Sequence, residues 1–289
     1  MRNLKLFFNK HFRNTVYSNV WIALGSGLYT IQTCIIFDLP WWPTSIFVAV
    51  STFATYNFQR LIKLRRKPEF YTPGRNQWIF RNRKLIGLLC GLSMLACIGL
   101  IFLFSFRDVL FLGIPIAVSL LYVQPLKVLQ NRLPDLREIP LMKVIWVGLI
   151  WMWVSVLFPL FHHSQDLNTS FVIIWAITQM IFIIGITIPF DIRDLPYDSA
   201  SYKTVPQLFG IRGAKIVAIA LICGTFFGWS ILFRSGFINI NSLAAQFLCL
   251  MTTVIVVSKT KQDQPELYFT GLIDGLIILS GASLILTES

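Results

Sequence analysis

Nine long apolar runs divide the chain, separated by short polar segments: Val16 to Phe37, Trp42 to Gln59, Leu85 to Phe106, Val109 to Val123, Ile139 to Leu160, Phe171 to Phe190, Ile211 to Phe233, Ile240 to Val257 and Leu267 to Leu286. A helix needs about 20 apolar residues to cross the hydrocarbon core. The fourth run is short, and the second and sixth lead straight into charged segments. No period-two alternation marks barrel strands, and open strands would leave backbone groups unpaired in lipid. The pattern predicts an all-α membrane protein with nine transmembrane helices, folded as one integral-membrane helical domain over residues 1–289. The first run lacks a small-x-small cleavage pattern, so it reads as a retained helix rather than a signal peptide.

Composition agrees with this pattern. Hydrophobic types make up 55% of the 289 residues and charged types only 13%, half the charge of a soluble domain. A soluble enzyme, a disordered chain and a disulfide-stapled secreted domain are excluded. The net charge of +12 could suggest nucleic acid, but its distribution points to membrane topology. Of 25 Lys and Arg, only Arg107 and Arg234 fall on one set of alternate loops. That split predicts a cytoplasmic N-terminus and an external C-terminus, in a cell (inner) membrane, with membrane lipid as a partner and no nucleic acid. The five cysteines lie inside apolar runs and show no metal or redox spacing. His162, His163 and Asp166 lie on the external side, away from the basic loops.

Chemistry concentrates after the sixth run. Asp191, Asp194 and Asp198 stand at i, i+3 and i+7, which places them on one face if the helix continues through them. Pro189 and Pro196 bracket the first two, so Asp198 is expected off the axis. Carboxylates gathered at a membrane boundary repel unless a cation sits between them. Mg2+ suits that place, because it takes a few carboxylates and bridges to phosphate oxygens. The alternative is a solvated turn in which Arg193 and Lys203 are the local partners. Asp274 lies inside the ninth run, where a carboxylate is costly.

The same loop continues to Lys203-Thr204-Val205-Pro206-Gln207-Leu208-Phe209-Gly210. Asp-x-x-Asp-x-x-x-Asp followed by Lys-Thr-x-Pro-x-x-x-Gly resembles the second motif of the UbiA-type intramembrane prenyltransferases. Leu121-Tyr122-Val123-Gln124-Pro125-Leu126-Lys127 is similar to that family's Leu-Tyr-x-x-Pro-Leu-Lys. Ile139-Pro140-Leu141-Met142-Lys143, with Trp151 beyond it, is similar to the start of its fifth helix. The resemblance implies a UbiA-like bundle holding a polyprenyl diphosphate in a lipid-open cavity. It implies Mg2+ as cofactor, with Asp191, Asp194 and Asp198 as metal ligands. It also implies transfer of the prenyl group to an acceptor that the sequence does not identify. Lys127, Lys143 and Lys203 are candidate diphosphate contacts, with plain positive-inside residues as the alternative, and Tyr122 is a further candidate site residue. The alternative is a catalytically weakened relative that binds isoprenoid lipid or supports a partner.

One departure from the family pattern bears on the chemistry. The first motif normally reads Asn-Asp-x-x-Asp-x-x-x-Asp. The matching segment here runs from Thr55 to Arg65; it keeps Asn57 but has no carboxylate before Glu69. Fewer metal ions than usual are therefore expected. Asn57, Arg60 and Lys63 are expected to contact the diphosphate directly, since Arg offers phosphate a planar fork and Lys a compact charge. The other reading is that these residues snorkel at the end of the second helix.

Overall fold

The computed structural model describes residues 2–66, 74–123, 141–166, 169–198 and 202–288. Among them are helices and no strands. In chain order the helices are α1 (Arg2–Tyr17), α2 (Val20–Ile36), α3 (Thr44–Arg66), α4 (Arg75–Arg81), α5 (Arg83–Ile101), α6 (Phe106–Val123), α7 (Met142–Met152), α8 (Phe158–His162), α9 (Ser170–Asp194), α10 (Val205–Arg234), α11 (Ile240–Ser258) and α12 (Asp274–Glu288). Wide π turns at Trp153–Leu157 and Tyr268–Ile273 join α7 to α8 and lead into α12.

Among the described residues, six segments are long and apolar enough to cross a membrane: Arg83–Ile101, Met142–His162, Ser170–Asp194, Val205–Arg234, Ile240–Ser258 and Tyr268–Glu288. A seventh forms if Lys10–Tyr17 and Val20–Ile36, bent 68° from one another, count as one span. The second and fourth predicted runs lie on α3 and α6, outside this set. In α3 the run is diluted by Ser, Thr, Asn57 and Gln59, and Arg60 follows it directly. The first run is also shorter than expected. The chain turns at Asn19, whose φ of 67° is left-handed, a conformation that Asn tolerates better than most residues.

The helices form a closed bundle. α9 packs between α7 and α10, α10 leads to α11 and α12, and α12 closes against α2, which in turn packs on α3. Small residues permit close approach, as expected where lipid supplies no hydrophobic drive between helices. A Cβ on Gly228 would lie 2.9 Å from Thr178 Cβ, and one on Gly281 would lie 3.0 Å from the Leu28 backbone. The centre holds Tyr29, Trp175, Ile183 and Phe269. By contrast, α5 turns Leu88, Leu92, Leu95 and Ile98 outward, as a lipid-facing helix does.

Prolines explain where polar bonds cross the bundle. A proline leaves the carbonyl four residues earlier without its helical donor. Pro159 frees the Ser155 carbonyl, which accepts from Thr33 Oγ1 at 2.7 Å. Pro115 in α6 frees the Phe111 carbonyl, which accepts from Trp153 Nε1 at 3.2 Å. The π turn before Pro159 absorbs the same disruption. The fifth predicted span is therefore helical but interrupted.

Candidate functional site

The acidic motif stays helical through Asp194 despite Pro189, so Asp191 and Asp194 share a face of α9. The helix ends before Pro196, as the steric clash of a following proline requires. Asp198 lies beyond the end, but its N–H donates to the Asp194 carbonyl at 2.9 Å, and this folds the third carboxylate back toward the first two. The three surround one cation, which the chain itself supplies. Lys143 Nζ, from the first turn of α7, lies 2.8 Å from Asp191 Oδ1, 2.9 Å from Asp198 Oδ2 and 3.9 Å from Asp194 Oδ2. The Asp191 side chain is 1% exposed and that of Lys143 21%. Lys143 hydrogen-bonds Asp198, and among the described residues the Asp191 oxygens have no donor besides Lys143. A buried carboxylate without other donors depends on its charge partner.

Beside this cluster runs a chain of guanidinium and carboxylate groups. Arg193 donates to Asp194 at 2.7 Å and to Glu266 at 3.2 Å, and its guanidinium lies over the rings of Phe190 and Phe269. Glu266 also pairs with Arg75 at 3.6 Å. Arg75, on α4, donates to the Asn19 side chain and to the Tyr17 carbonyl. Asn19 donates to Asn57 Oδ1 at 2.9 Å, and Asn57 donates to the Ser18 carbonyl at 3.0 Å. Burial pulls the Arg75 guanidinium below its ordinary value, and Glu266 opposes that shift. Arg60 donates to Asn76 Oδ1 at 3.2 Å.

Four of these groups reach the polar end of a cavity of about 220 Å3. Arg60, Arg75, Arg193, Asn19 and Asp274 line one part of it, and Ile22, Val147, Trp151, Ile183, Ile186 and Ile277 line another. Val147 is one turn from Lys143 on α7, and Thr187, also lining, is one turn from Asp191 on α9. The acidic cluster thus borders the cavity without lining it. A site built this way offers fixed positive charge to an anion and an apolar wall to whatever the anion carries.

The predicted residues fall into groups. Asp191, Asp194, Asp198 and Lys143 come together. Lys143 does so as the counter-ion of the acids and is not a lining residue. Arg60 and Asp274 line the cavity. Asn57 is fully buried and braces the α2–α3 contact through Asn19 and the Ser18 carbonyl. Lys203 is exposed and does not line the cavity; its carbonyl accepts from the Leu141 N–H at 3.3 Å. Lys127 and the side chains of Lys63 and Tyr122 lie outside the described residues. At the opposite end of the bundle His162 pairs with Asp108 at 3.0 Å, and His163 meets the Pro40 carbonyl. The sequence reading missed Arg75, Glu266 and Asn19, and it treated Arg193 only as a local partner. One signal was available: Glu266 is an acid that follows Lys259 and Lys261 closely, on the set of alternate loops that carries most of the basic residues.

The fold has known counterparts. A UbiA homologue from Aeropyrum pernix K1, solved in its apo form, superposes with a TM-score of 0.56 at 14% identity, over 94% of this chain and 97% of that one. A UbiA homologue from Archaeoglobus fulgidus, bound to GPP and Mg2+, matches with a TM-score of 0.52 at 15% identity, over 94% of this chain and 96% of that one. The same homologue bound to DMAPP and Mg2+ matches with a TM-score of 0.50 at 14% identity, over the same shares of each chain. No protein-family model matches the chain, and no curated protein matches its sequence. The chain therefore has the fold of these UbiA homologues, with several helices long and apolar enough to cross a membrane, as in a multi-pass membrane protein.

Proposed function

We propose that this chain binds an isoprenoid diphosphate in the cavity and transfers its prenyl group to an acceptor within the membrane. The observation that carries this reading is the pairing of three guanidinium groups with an apolar wall in one cavity of a UbiA-type fold. Arginine forks match phosphate oxygens and bind them with charge-assisted hydrogen bonds. The diphosphate gains negative charge as the allylic carbon–oxygen bond breaks, and fixed guanidinium groups stabilise that charge where it develops. Trp151 and the isoleucines keep water from the carbon left behind. The proposal includes nine spans, a cytoplasmic N-terminus, an external C-terminus and a cell (inner) membrane. In that topology Arg60, Arg75, Lys143, Arg193 and Glu266 all lie at the cytoplasmic end.

Mg2+ accompanies the ligand in two of the similar structures. The donors here do not fit such an arrangement. The segment matching the first motif has no carboxylate before Glu69. Among the described residues no group of three His, Cys, Asp or Glu is disposed to hold a metal ion, and Lys143 already sits among the three acids.

The lost first motif favours a second reading, a relative that binds isoprenoid diphosphate without turnover. Release of inorganic diphosphate from geranyl diphosphate by the purified protein separates the two. Ligand recognition itself is tested with Arg60→Ala. Charge-assisted contacts contribute about 1.5–3 kcal/mol, so geranyl diphosphate should bind about ten- to a hundredfold more weakly. Geraniol binding should hardly change. An equal, small loss for both ligands would reduce Arg60 to a helix anchor.

A further inference from the structure

The cation chemistry of this site is inverted relative to what the acidic motifs imply, and the inversion appears on both sides of the cavity. On the α3 side, the positions expected to carry carboxylates carry none, and Arg60 lines the cavity there. Arg75, from α4, joins it. On the α9 side the carboxylates are present, but an ammonium group lies within 4 Å of all three, at 2.8, 2.9 and 3.9 Å.

Three features make this ammonium a resident of the cluster. Asp191 is 1% exposed, and among the described residues its oxygens have no donor besides Lys143, so Lys143 supplies the charge that keeps this buried acid compensated. Asp198 is folded back so that it hydrogen-bonds the same Nζ at 2.9 Å. Asp194 is committed elsewhere as well, to Arg193 through two bonds at 2.7 and 3.2 Å. A magnesium ion takes oxygens at about 2.0–2.1 Å in octahedral geometry and keeps several waters. To enter here it would have to displace Lys143 and loosen Asp194 from Arg193.

Taking the isoprenoid diphosphate reading as its premise, we infer that Lys143 stands in for the divalent ion at the acidic cluster and that Arg60, Arg75 and Arg193 grip the diphosphate directly, so that ligand binding needs no metal. The cluster then has a new task. It no longer carries a metal to the phosphates. Through Asp194, with Glu266 on the other side, it fixes the Arg193 guanidinium at the cavity.

The test uses the full chain in detergent or nanodiscs, with geranyl diphosphate as the probe. Its Kd is measured in excess EDTA and again in excess Mg2+, with inorganic diphosphate as a competitor. The two values should agree within a factor of about two. Lys143→Met should weaken binding in EDTA about tenfold or more, because Asp191 and Asp198 then lose their counter-ion beside the anion's cavity, and added Mg2+ should restore part of that loss. Binding by the parent protein in Mg2+ but not in EDTA would overturn the metal-free inference and leave the ligand assignment standing. Absence of binding in both conditions would overturn the ligand assignment and this inference with it. The parent comparison decides the question even if Lys143→Met fails to fold.

Discussion

Replacing Arg193 with alanine is expected to weaken geranyl diphosphate binding by about a hundredfold or more. Two losses combine in that figure. The first is the guanidinium itself, one of three lining the cavity; a charge-assisted contact of this kind accounts for about ten- to a hundredfold in affinity. The second is what Arg193 leaves behind. It holds Asp194 at 2.7 Å and Glu266 at 3.2 Å, and without it both carboxylates lose that compensation beside the cavity. Arg193→Lys should recover part of the affinity, since it keeps the charge but loses the planar fork. Titration of the purified variants against geranyl diphosphate and geraniol, alongside thermal melts, measures these effects. A variant with lowered Tm but unchanged affinity would make Arg193 a strut between α9 and the Glu266 loop and nothing more.

The second large effect is on stability. Asp191→Ala removes the closest partner of Lys143, at 2.8 Å, and is expected to cost about 3 kcal/mol, the lower end for breaking a buried pair, because Lys143 keeps some contact with water. Removing both charges should cost less than removing one. A buried pair replaced by apolar groups is often neutral, while a buried charge left alone is not. Lys143→Met on its own leaves three carboxylates close together. The double variant Asp191→Ala/Lys143→Met should therefore recover part of the stability lost in Asp191→Ala. Chemical unfolding of the parent, both single variants and the double variant in one detergent gives the coupling energy. Strictly additive losses would show that the two groups do not depend on each other.

The two acids of α9 illustrate what could be read from sequence. Their i, i+3 spacing predicted a shared face, and they share one because Pro189 does not stop the helix, while Pro196 ends it. The apolar runs likewise fall on helices. The interruptions inside those helices were harder to see, because Pro159 sets a π turn by what it does to a hydrogen-bond ladder and leaves hydropathy unchanged. Lys143 shows the main limit. In the sequence it is one more basic residue on the cytoplasmic side, grouped with Lys127 and Lys203 as a phosphate contact. Only the packing of α7 against α9 brings it among the three acids. Arg75 is similar, because positive-inside bias accounts for any arginine near a span. Its partners Asn19 and Glu266 come from the two ends of the chain. Such long-range pairs carry no spacing signal, so the polar end of the cavity could not be assembled from local motifs.

Photo-crosslinking with a diazirine-bearing geranyl diphosphate, mapped by mass spectrometry, tests most directly whether the cavity is the isoprenoid diphosphate site. The prenyl end should label Val147, Trp151, Ile183 or Ile186, the apolar lining residues. Geranyl diphosphate should suppress that labelling, in EDTA as well as in Mg2+, and geraniol should not. Labelling confined to the outward residues of α5, Leu88, Leu92 and Leu95, and insensitive to geranyl diphosphate, would mean that the probe dissolves in the surrounding lipid and that the cavity is not its site.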